Sequence, residues 1–580
     1  GRWGMVGDPH ADALAGTEAG GEGMGRRCGA AGAALVAPAV NLTRFLKRLR
    51  ARFGRFVLLA VAQYGMNQGI GEPTGELARK LYFSQVLGVD GADSLRYYAS
   101  AKLPWNMKPV FGMLSDALPI FGYRRTSYVV IAGVSGVIAW TSLGTLPLTA
   151  QSAVPFLILM NVSMATPDIM VDATTAELSR KVPEAASDLQ SLCWGALAVG
   201  GVYSCTTSGA IADAFGPQVL FLTTNVAALS VLIGGLRGWL EEKRLPPQKR
   251  RPDLSWFRNN RAMSGLAVFM AASASTLTFV NVFCESMALR AGVTLAIAGA
   301  LMIAVRICLR TIHPVLARVA LFLFAREALQ PYVSDALFQW MTKADDGPKF
   351  TATFLGFVDC FGNLGLFAGV VLYNTKLTNV NYRRIFTFAQ VALCLSNLMD
   401  LALVMRWNLA IGIPDHAMLI GDTAVTACIR RFFSMPSFVL ASKVCPRDVE
   451  ATLFAMLMAL SNFGTTVAEL LGTSLLEFLK VRGDNYDNLS TAITLKSLCR
   501  MLPILLIPLL VPNLTPNDPI DVDHGGDGRG DSDGDPEGAG ITQGMDSENV
   551  RLIDNALAEQ GSGAEAQDVA SVELVDIPAE

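Results

Sequence analysis

Asp168 and Asp172 stand four residues apart inside an apolar stretch, a spacing that puts both carboxylates on one face of a helix. Intramembrane carboxylates are rare and commonly mark ion or proton routes, and two so close repel when both are ionised, so one of them is suited to carry a proton. The competing reading keeps both at a helix end, paired with Arg124, Arg180 or Lys181. Asp188, Gln190 and Trp194 bring a carboxylate, an amide and an aromatic face within two turns, groups that hold a flat nitrogen heterocycle by stacking and by accepting its N–H groups. Asp188 serves equally well as a helix N-cap. Further polar candidates for ligand contact are Gln68, with Asn67 and Glu72 nearby, and Asp335 with Phe338. Glu72-Pro73 reads alternatively as the end of its helix. Arg430 and Arg431 suit bidentate capture of carboxylates, the alternative being an ion pair to Glu450, Glu469 or Asp422.

A second group of charges has the pattern of a gate. Between two apolar runs lies Pro104-Trp105 to Lys108-Pro109, then Asp116, then Gly122-Tyr123-Arg124-Arg125. A carboxylate and basic residues at helix ends can hold a passage shut through ion pairs that break on opening, which requires two states of similar energy. The gating set on this reading is Lys108, Asp116, Arg124 and Arg125, with Arg383 and Arg384 in a weaker second copy that follows Gly369 to Lys376. The alternative is a static signal of orientation. Pro104, Trp105 and Pro109 read as shaping their helix, since proline removes a backbone donor and bends the rod.

The elements that must position these residues follow from composition. Of 580 residues 51% are hydrophobic and 17% charged, and the mean hydropathy is +0.38, too apolar for a soluble protein of this size. Apolar runs of about 18 to 25 residues, enough to cross roughly 30 Å of hydrocarbon as helices, recur along the chain. They lie near 56–71, 97–115, 127–147, 153–172, 190–213, 218–240, 315–340, 351–373, 385–405, 409–428, 451–477 and 496–512. A candidate extra pair, 263–283 and 291–309, stands between the sixth and seventh. The expected fold is an all-α membrane protein of two six-helix halves, twelve transmembrane helices plus that pair. Its segments are a tail at 1–54, a first half at 55–240, a basic linker at 241–262, the extra pair within 263–310, a second half at 311–512, and a tail at 513–580. Matching halves mark carriers built from internal repeats, with the substrate site where the halves meet.

Charge gives orientation. Arg44, Lys47, Arg48, Arg50, Arg52 and Arg55 precede the first run, and Arg124, Arg125, Arg180 and Lys181 occupy later alternate loops, while 88–93, 146–151 and 213–217 carry no Lys or Arg. The positive-inside rule then places both termini on the cytosolic side. The basic linker reads as topological retention in preference to lipid recognition. The last 68 residues hold 17 Asp or Glu against Arg529 and Arg551, about −15, leaving the remainder near +12. That tail is read as disordered, its Arg529-Gly530-Asp531 as a chance tripeptide, and it is the segment expected to meet cytosolic partners.

Several classes are disfavoured. Ten cysteines without a Cys-x-x-Cys pair imply neither a disulfide framework nor a zinc site, and four scattered histidines, His313 and His416 among them, form no nucleophile or metal constellation. No Gly-x-x-x-x-Gly-Lys-Ser/Thr loop is present, so ATP is not the direct drive. An enzyme, a cofactor, a metal and a nucleic-acid partner are not expected. The partners are a small molecule and the lipid bilayer.

Gly112-x-x-x-Asp116 with Gly122-x-Arg124-Arg125 resembles the signature loop of the major facilitator superfamily. The longer string is more specific. Pro104-Trp105, Lys108-Pro109, Ser115-Asp116, Pro119 and Gly122 to Tyr128, with Val171-Asp172-Ala173, Asp188 to Gly195 and Cys445-Pro446 to Ala455, resembles the folate/biopterin transporter family from about Tyr64 to Val511. The resemblance implies a secondary active transporter that moves a folate or pterin by alternating access; the expected drive is a proton or solute gradient, and the Asp168/Asp172 pair points to proton symport. S-adenosylmethionine or another organic solute is the nearest alternative cargo, and a non-transporting scaffold or receptor the alternative of another class. The plasma membrane and a plastid or other organelle envelope fit the pattern equally.

Overall fold

In hydrocarbon a chain must satisfy its own backbone hydrogen bonds, so apolar runs of this length fold as helices. The computed structural model describes residues 43–518 apart from 183–185, 248–249, 253, 445–449, 484 and 517. The acidic tail with its expected disorder and partners, its Arg-Gly-Asp tripeptide and most of the N-terminal tail lie outside the described residues. Part of the stretch read as N-terminal tail is a helix, α1 (43–53), whose Leu49 and Phe53 are buried against the body. The first half follows as α2 (56–86), α3 (91–117), α4 (Thr126–Thr145), α5 (Ala150–Lys181), α6 (Ala186–Phe215) and α7 (Pro217–Leu236). An inserted pair, α8 (Arg261–Phe283) and α9 (Met287–Arg310), leads to α10 (314–343, broken at 329–333 between Pro314–Ala328 and Ser334–Lys343), α11 (352–377), α12 (Tyr382–Val404), α13 (Asp415–Lys443), α14 (Glu450–Phe478) and α15 (489–510, with a turn at 500–501).

The two halves repeat one packing scheme. In the first, α2 packs on α6 and α7, α4 on α5 and α7, and α3 on α5. In the second, α10 packs on α14 and α15, α12 on α13 and α15, and α11 on α13. The halves meet along α3 with α14 and α6 with α11, contacts that exchange under the same two-fold relation. The inserted α8 lies on α3 and α9 lies on α10 and α14, so the pair flanks the seam. Arg290 of α9 anchors it to Glu477 of α14 at 2.6 Å.

Small residues permit the closest crossings. A Cβ on Gly200 of α6 would stand 2.1 Å from the Gly65 carbonyl of α2, and one on Gly209 would stand 2.2 Å from the Ala352 carbonyl of α11. The rod α2 winds as a π-helix over Val61–Gly71, and α3 is interrupted near Lys102 and Met107, each break followed within two residues by Pro104 or Pro109. Such irregular backbone at membrane depth is tolerated where protein or a cavity surrounds it.

The ends of the molecule differ. At the end carrying the bare loops, Gly91 of α3 is so close to Ala336 of α10 that a Cβ would stand 2.5 Å from its Cα, Gln339 donates to the Val89 carbonyl at 2.8 Å, and Lys343 donates to the Ser84 carbonyl. Asp213 at the end of α6 accepts from the Ala352 and Thr353 backbone N–H groups at 3.1 and 2.7 Å, capping α11. At the basic end α5 and α6 do not pack on α13 or α14 among the described residues. The halves are joined most closely at the bare end, while toward the basic end the last stretch of α3, Lys108–Ala117, still packs on α14.

One covalent link departs from the sequence reading. Cys205 of α6 and Cys360 of α11 form a disulfide across the seam, with Cα atoms 5.7 Å apart. They are 155 residues apart, and only the packing of α6 on α11 brings them together, so no spacing rule signals the pair.

Candidate functional site

The π segment of α2 turns a row of polar residues toward α5. Gln63 donates to the Met164 carbonyl at 3.2 Å and Asn67 to the Ser163 carbonyl at 2.9 Å, stapling the two helices. One turn on, Gln68 donates to Asp168 at 2.6 Å, and Lys108, just past the second break of α3, forms an ion pair with the other oxygen of Asp168 at 2.5 Å. Tyr64 donates to Asp172. Trp105 donates its indole N–H to Asn161 at 2.8 Å and lies under the Lys108 ammonium, 4.5 Å from the ring centroid. The cluster thus holds two carboxylates and one lysine, and a single added proton would make it neutral. Neither Asp168 nor Asp172 forms an ion pair with Arg124 among the described residues, the side chains of Arg180 and Lys181 lie outside the described residues, and Lys108, assigned to the gate by sequence, joins this cluster.

Four residues beyond Gln68 the carboxylate of Glu72 is solvent-accessible in the middle of a 31-residue rod, 56–86, and faces Lys102, Lys108 and Asp168 electrostatically. It has no hydrogen-bond or ion-pair partner among the described residues. Glu72 therefore lines the internal space between the halves. This corrects the reading of Glu72-Pro73 as a helix end: Pro73 falls where the π segment gives way to α-helix, at a position that needs no backbone donor.

Toward the bare end the halves are locked by buried charge. Arg79 of α2, fully buried, donates to Asp335 of α10 at 2.8 Å, and Ser94 of α3 donates to the same oxygen at 2.7 Å. Arg79 also pairs with Glu76 at 2.9 Å and stacks on Tyr98, 3.9 Å from the ring centroid. One layer deeper Lys102 of α3 pairs with Glu469 of α14 at 2.5 Å, and Asn106 donates to Thr466 at 3.0 Å. Asp335, a candidate for reading substrate, is occupied by Arg79 and Ser94, and Phe338 is buried beneath Lys80 with 5.6 Å from ammonium to centroid. Both thus lie in the contact layer between the halves.

The facing wall comes from the second half. Arg326 donates to Ser437 at 2.7 Å, pairs with Glu327 and stacks on Phe433. Arg500 donates to Gln330 at 2.8 Å and to Asn397 at 3.0 Å. Arg430 and Arg431 fall within α13 and not after it, because α13 begins at Asp415 and runs to Lys443. Arg430 is exposed, acts electrostatically on Tyr332 and Arg500, and has no ion-pair partner among the described residues. Of the partners expected for Arg430, Glu469 pairs with Lys102, Asp422 accepts from Thr426 at 3.2 Å, and the side chain of Glu450 lies outside the described residues. Arg431 is half-buried against Gly369 of α11.

The remaining expected residues are dispersed. Asp116 is exposed near the end of α3 and forms no ion pair with Arg124 or Arg125 among the described residues. Arg125 instead bonds Thr174 at 3.1 Å and Glu177 at 2.5 Å on α5, while Glu242 of the linker accepts from the Arg124, Arg125 and Thr126 backbone and caps α4. Arg383 donates to the Val511 carbonyl at 2.8 Å, tying α12 to the end of α15, and Arg384 is exposed. Asp188 sits in the first turn of α6, where a carboxylate complements the helix dipole, and the side chain of Gln190 lies outside the described residues. Trp194 is exposed on the α6 face that carries Gly201 and Cys205 toward α11, at the end where the two helices diverge. The sequence reading does not single out Lys102, and Glu469 enters it only as a candidate partner of Arg430 and Arg431, although both fall inside expected spans and charge there is itself a signal. Arg79 stood beyond the expected end of its helix.

The chain was compared with known proteins. The model of the BT1 family matches residues 68–525. A protein of Arabidopsis thaliana described as "Probable folate-biopterin transporter 2" is 30% identical over 467 residues, 80% of this chain and 84% of that protein. The "Folate-biopterin transporter" of Synechocystis is 28% identical over 471 residues, 80% of this chain and 84% of that one. Among solved structures, an auto-inhibited POT family peptide transporter superposes with a TM-score of 0.59 at 12% identity, covering 81% of this chain and 99% of that one. The nucleoside transporter NupG does so at 0.53 and 13%, covering 79% and 99%. At such identities these two show the fold alone, and it is the major facilitator type. With most of its length matched by one family model and a relative at 30% identity over four fifths of it, this membrane protein belongs to the BT1 family of folate/biopterin transporters.

Proposed function

We propose that the chain carries a folate or pterin across its membrane by alternating access, with the basic end cytosolic. The observation that carries the cargo is a pair of charges on the cavity wall that have no partner among the described residues. Glu72 is a free acceptor for the amino and ring N–H groups of a pterin, and Arg430 is a free donor for the carboxylates of a folate. Trp105 and Tyr332 supply aromatic faces beside them. The relatives' descriptions as folate-biopterin transporters support the same cargo.

Proton coupling is assigned to Asp168 and Asp172. With Lys108 fixed on Asp168, the cluster carries one net negative charge when both carboxylates are ionised and none when one is protonated, so proton binding changes the charge that cargo meets. The gate is assigned to the Arg79–Asp335 lock at the bare end, with Arg125–Glu177 and Asp116 on the opposite side. The test is uptake of radiolabelled folic acid, biopterin and S-adenosylmethionine into proteoliposomes, with and without an imposed proton gradient. Saturable folate or biopterin uptake that collapses with the gradient supports cargo and coupling. Uptake of S-adenosylmethionine alone overturns the cargo, and uptake of none favours a scaffold or receptor.

A further inference from the structure

Away from the space between the halves, a cavity of about 470 Å³ lies between α1, the first turns of α2, and α7 with the chain just after it. Its walls are apolar, made by Leu46, Leu58, Val61, Met66 and Trp239, and its rim carries Lys47 and Arg50 from α1. No acidic residue lines it. We propose that this groove is a binding site for one anionic phospholipid of the leaflet at the basic end, its phosphodiester held by Lys47 and Arg50 and an acyl chain laid against α2 and α7.

Four observations converge on that ligand. The helix α1 is amphipathic: Leu49 and Phe53 are buried against the body, while Arg44, Lys47, Arg48, Arg50 and Arg52 are exposed with no acidic residue among them. A helix of that kind lies in the plane of the membrane surface with its basic face toward headgroups. Lys47 and Arg50 form no ion pair among the described residues, and the nearby Glu241 carboxylate is engaged by the Arg55 backbone N–H at 2.7 Å. A guanidinium and an ammonium side by side match a phosphodiester, the first by its two-pronged geometry and the second as a point charge. The groove is also carried on an apolar outer surface, since Leu229, Ile233 and Leu236 of α7 are exposed, and Trp239 stands at the level where indoles favour the membrane interface. A free phosphate would satisfy the cations and leave the apolar walls uncovered. The acidic tail of the chain is the other anion within reach of the argument and is an outcome of the test.

The test is native mass spectrometry of the purified full chain titrated with phosphatidylglycerol and with phosphatidylcholine of the same acyl chains. Phosphatidylglycerol is expected to bind more tightly. Charges near an anionic surface contribute enough that removing two, in Lys47→Gln/Arg50→Gln, weakens phosphatidylglycerol binding by about 30-fold. Arg44→Gln/Arg48→Gln, which removes the same charge from positions that do not line the groove, is expected to stay within about threefold of the parent. Ser230→Phe plugs the groove while keeping both cations, so it should also abolish tight binding and serves if the double variant folds poorly. Equal binding of the two lipids, equal loss in both charge variants, or retention in Ser230→Phe overturns the proposal. Displacement of phosphatidylglycerol by millimolar inorganic phosphate alone would reassign the site to a free anion, and tight lipid binding seen only after deletion of residues 525–580 would make the tail its occupant.

Discussion

Replacing Asp335 with asparagine removes one charge from the lock at the bare end and leaves its shape. In the closed state the carboxylate is 3% exposed and accepts from Arg79 and Ser94, and Arg79, at 1%, retains only Glu76 as a charged partner afterwards. Removing one partner of a buried ion pair typically costs about 3 to 5 kcal/mol, because the other charge stays desolvated. The remaining bond to Glu76 puts this case near the lower figure. When the halves separate at the bare end, Arg79 regains water, so the penalty falls on the closed state alone. A shift of about 3 kcal/mol multiplies the ratio of open to closed molecules roughly 150-fold. Thr473 is a suitable reporter: it is 3% exposed and packs against the Ala92 carbonyl where α14 meets α3. The rate at which a membrane-impermeant maleimide added from the bare side labels Thr473→Cys should therefore rise by about two orders of magnitude in the Asp335→Asn background. Arg79→Gln/Asp335→Asn, which removes both charges, should label far more slowly than the single variant, since replacing a whole buried pair is often close to neutral. An unchanged rate in Asp335→Asn, or a double variant as reactive as the single one, would refute the argument.

Arg430→Gln should raise the KM for folate by about 10- to 100-fold, the worth of charge-assisted hydrogen bonds to a carboxylate, and should leave biopterin, which has no carboxylate, within about threefold; equal effects on both would place Arg430 away from the cargo. Asp172→Asn keeps a partner for Tyr64 and removes one of the two carboxylates of the cluster, so gradient-driven accumulation should be lost while exchange of internal for external cargo persists, and accumulation that survives would move the proton site elsewhere. Trypsin acting in the basic linker separates the halves on either side of residues 237–261, and the fragments should run together on a non-reducing gel and apart after reduction, because Cys205 and Cys360 join them; fragments that part without reductant would show that the link does not form.

How much of this was legible in the sequence depends on where each helix faces. Nine helices among the described residues are long and apolar enough to be recognised as membrane spans by composition: α4, α5, α7, α8, α9, α11, α12, α13 and α15. The others of membrane length, α2, α3, α6, α10 and α14, meet their neighbours across the seam or line the space between the halves. All five still show as apolar runs, but α2, α3, α10 and α14 carry Glu72, Glu76, Arg79, Lys102, Lys108, Asp335 and Glu469 on interior faces, which lowers their mean hydropathy, while α6 carries none of these and is diluted by Gly, Ser and Thr between Gly200 and Gly209. The first span, expected at 56–71, continues to 86 for that reason, and the tenth, expected at 409–428, is displaced to 415–443 by Arg430 and Arg431 within it.

The same reasoning explains why the type of residue was easier to read than its partner. Asp168, Lys108 and Gln68 are each conspicuous as polar groups in apolar surroundings, yet they come from helices that are neighbours only because a π segment turns Gln68 inward and the break before Pro109 releases Lys108 from the rod. Both devices act at the scale of one residue, and hydrophobic periodicity averages over several turns. Asp335 shows the consequence most clearly. Its rarity marks it as functional, but rarity cannot distinguish a carboxylate that meets cargo from one that meets Arg79 256 residues away. What separates the two roles is occupancy of its oxygens, a tertiary property. By that criterion Glu72 and Arg430, which have no partner among the described residues, have the stronger claim to cargo, and those already matched across the seam, Arg79, Asp335, Lys102 and Glu469, have the stronger claim to the conformational change.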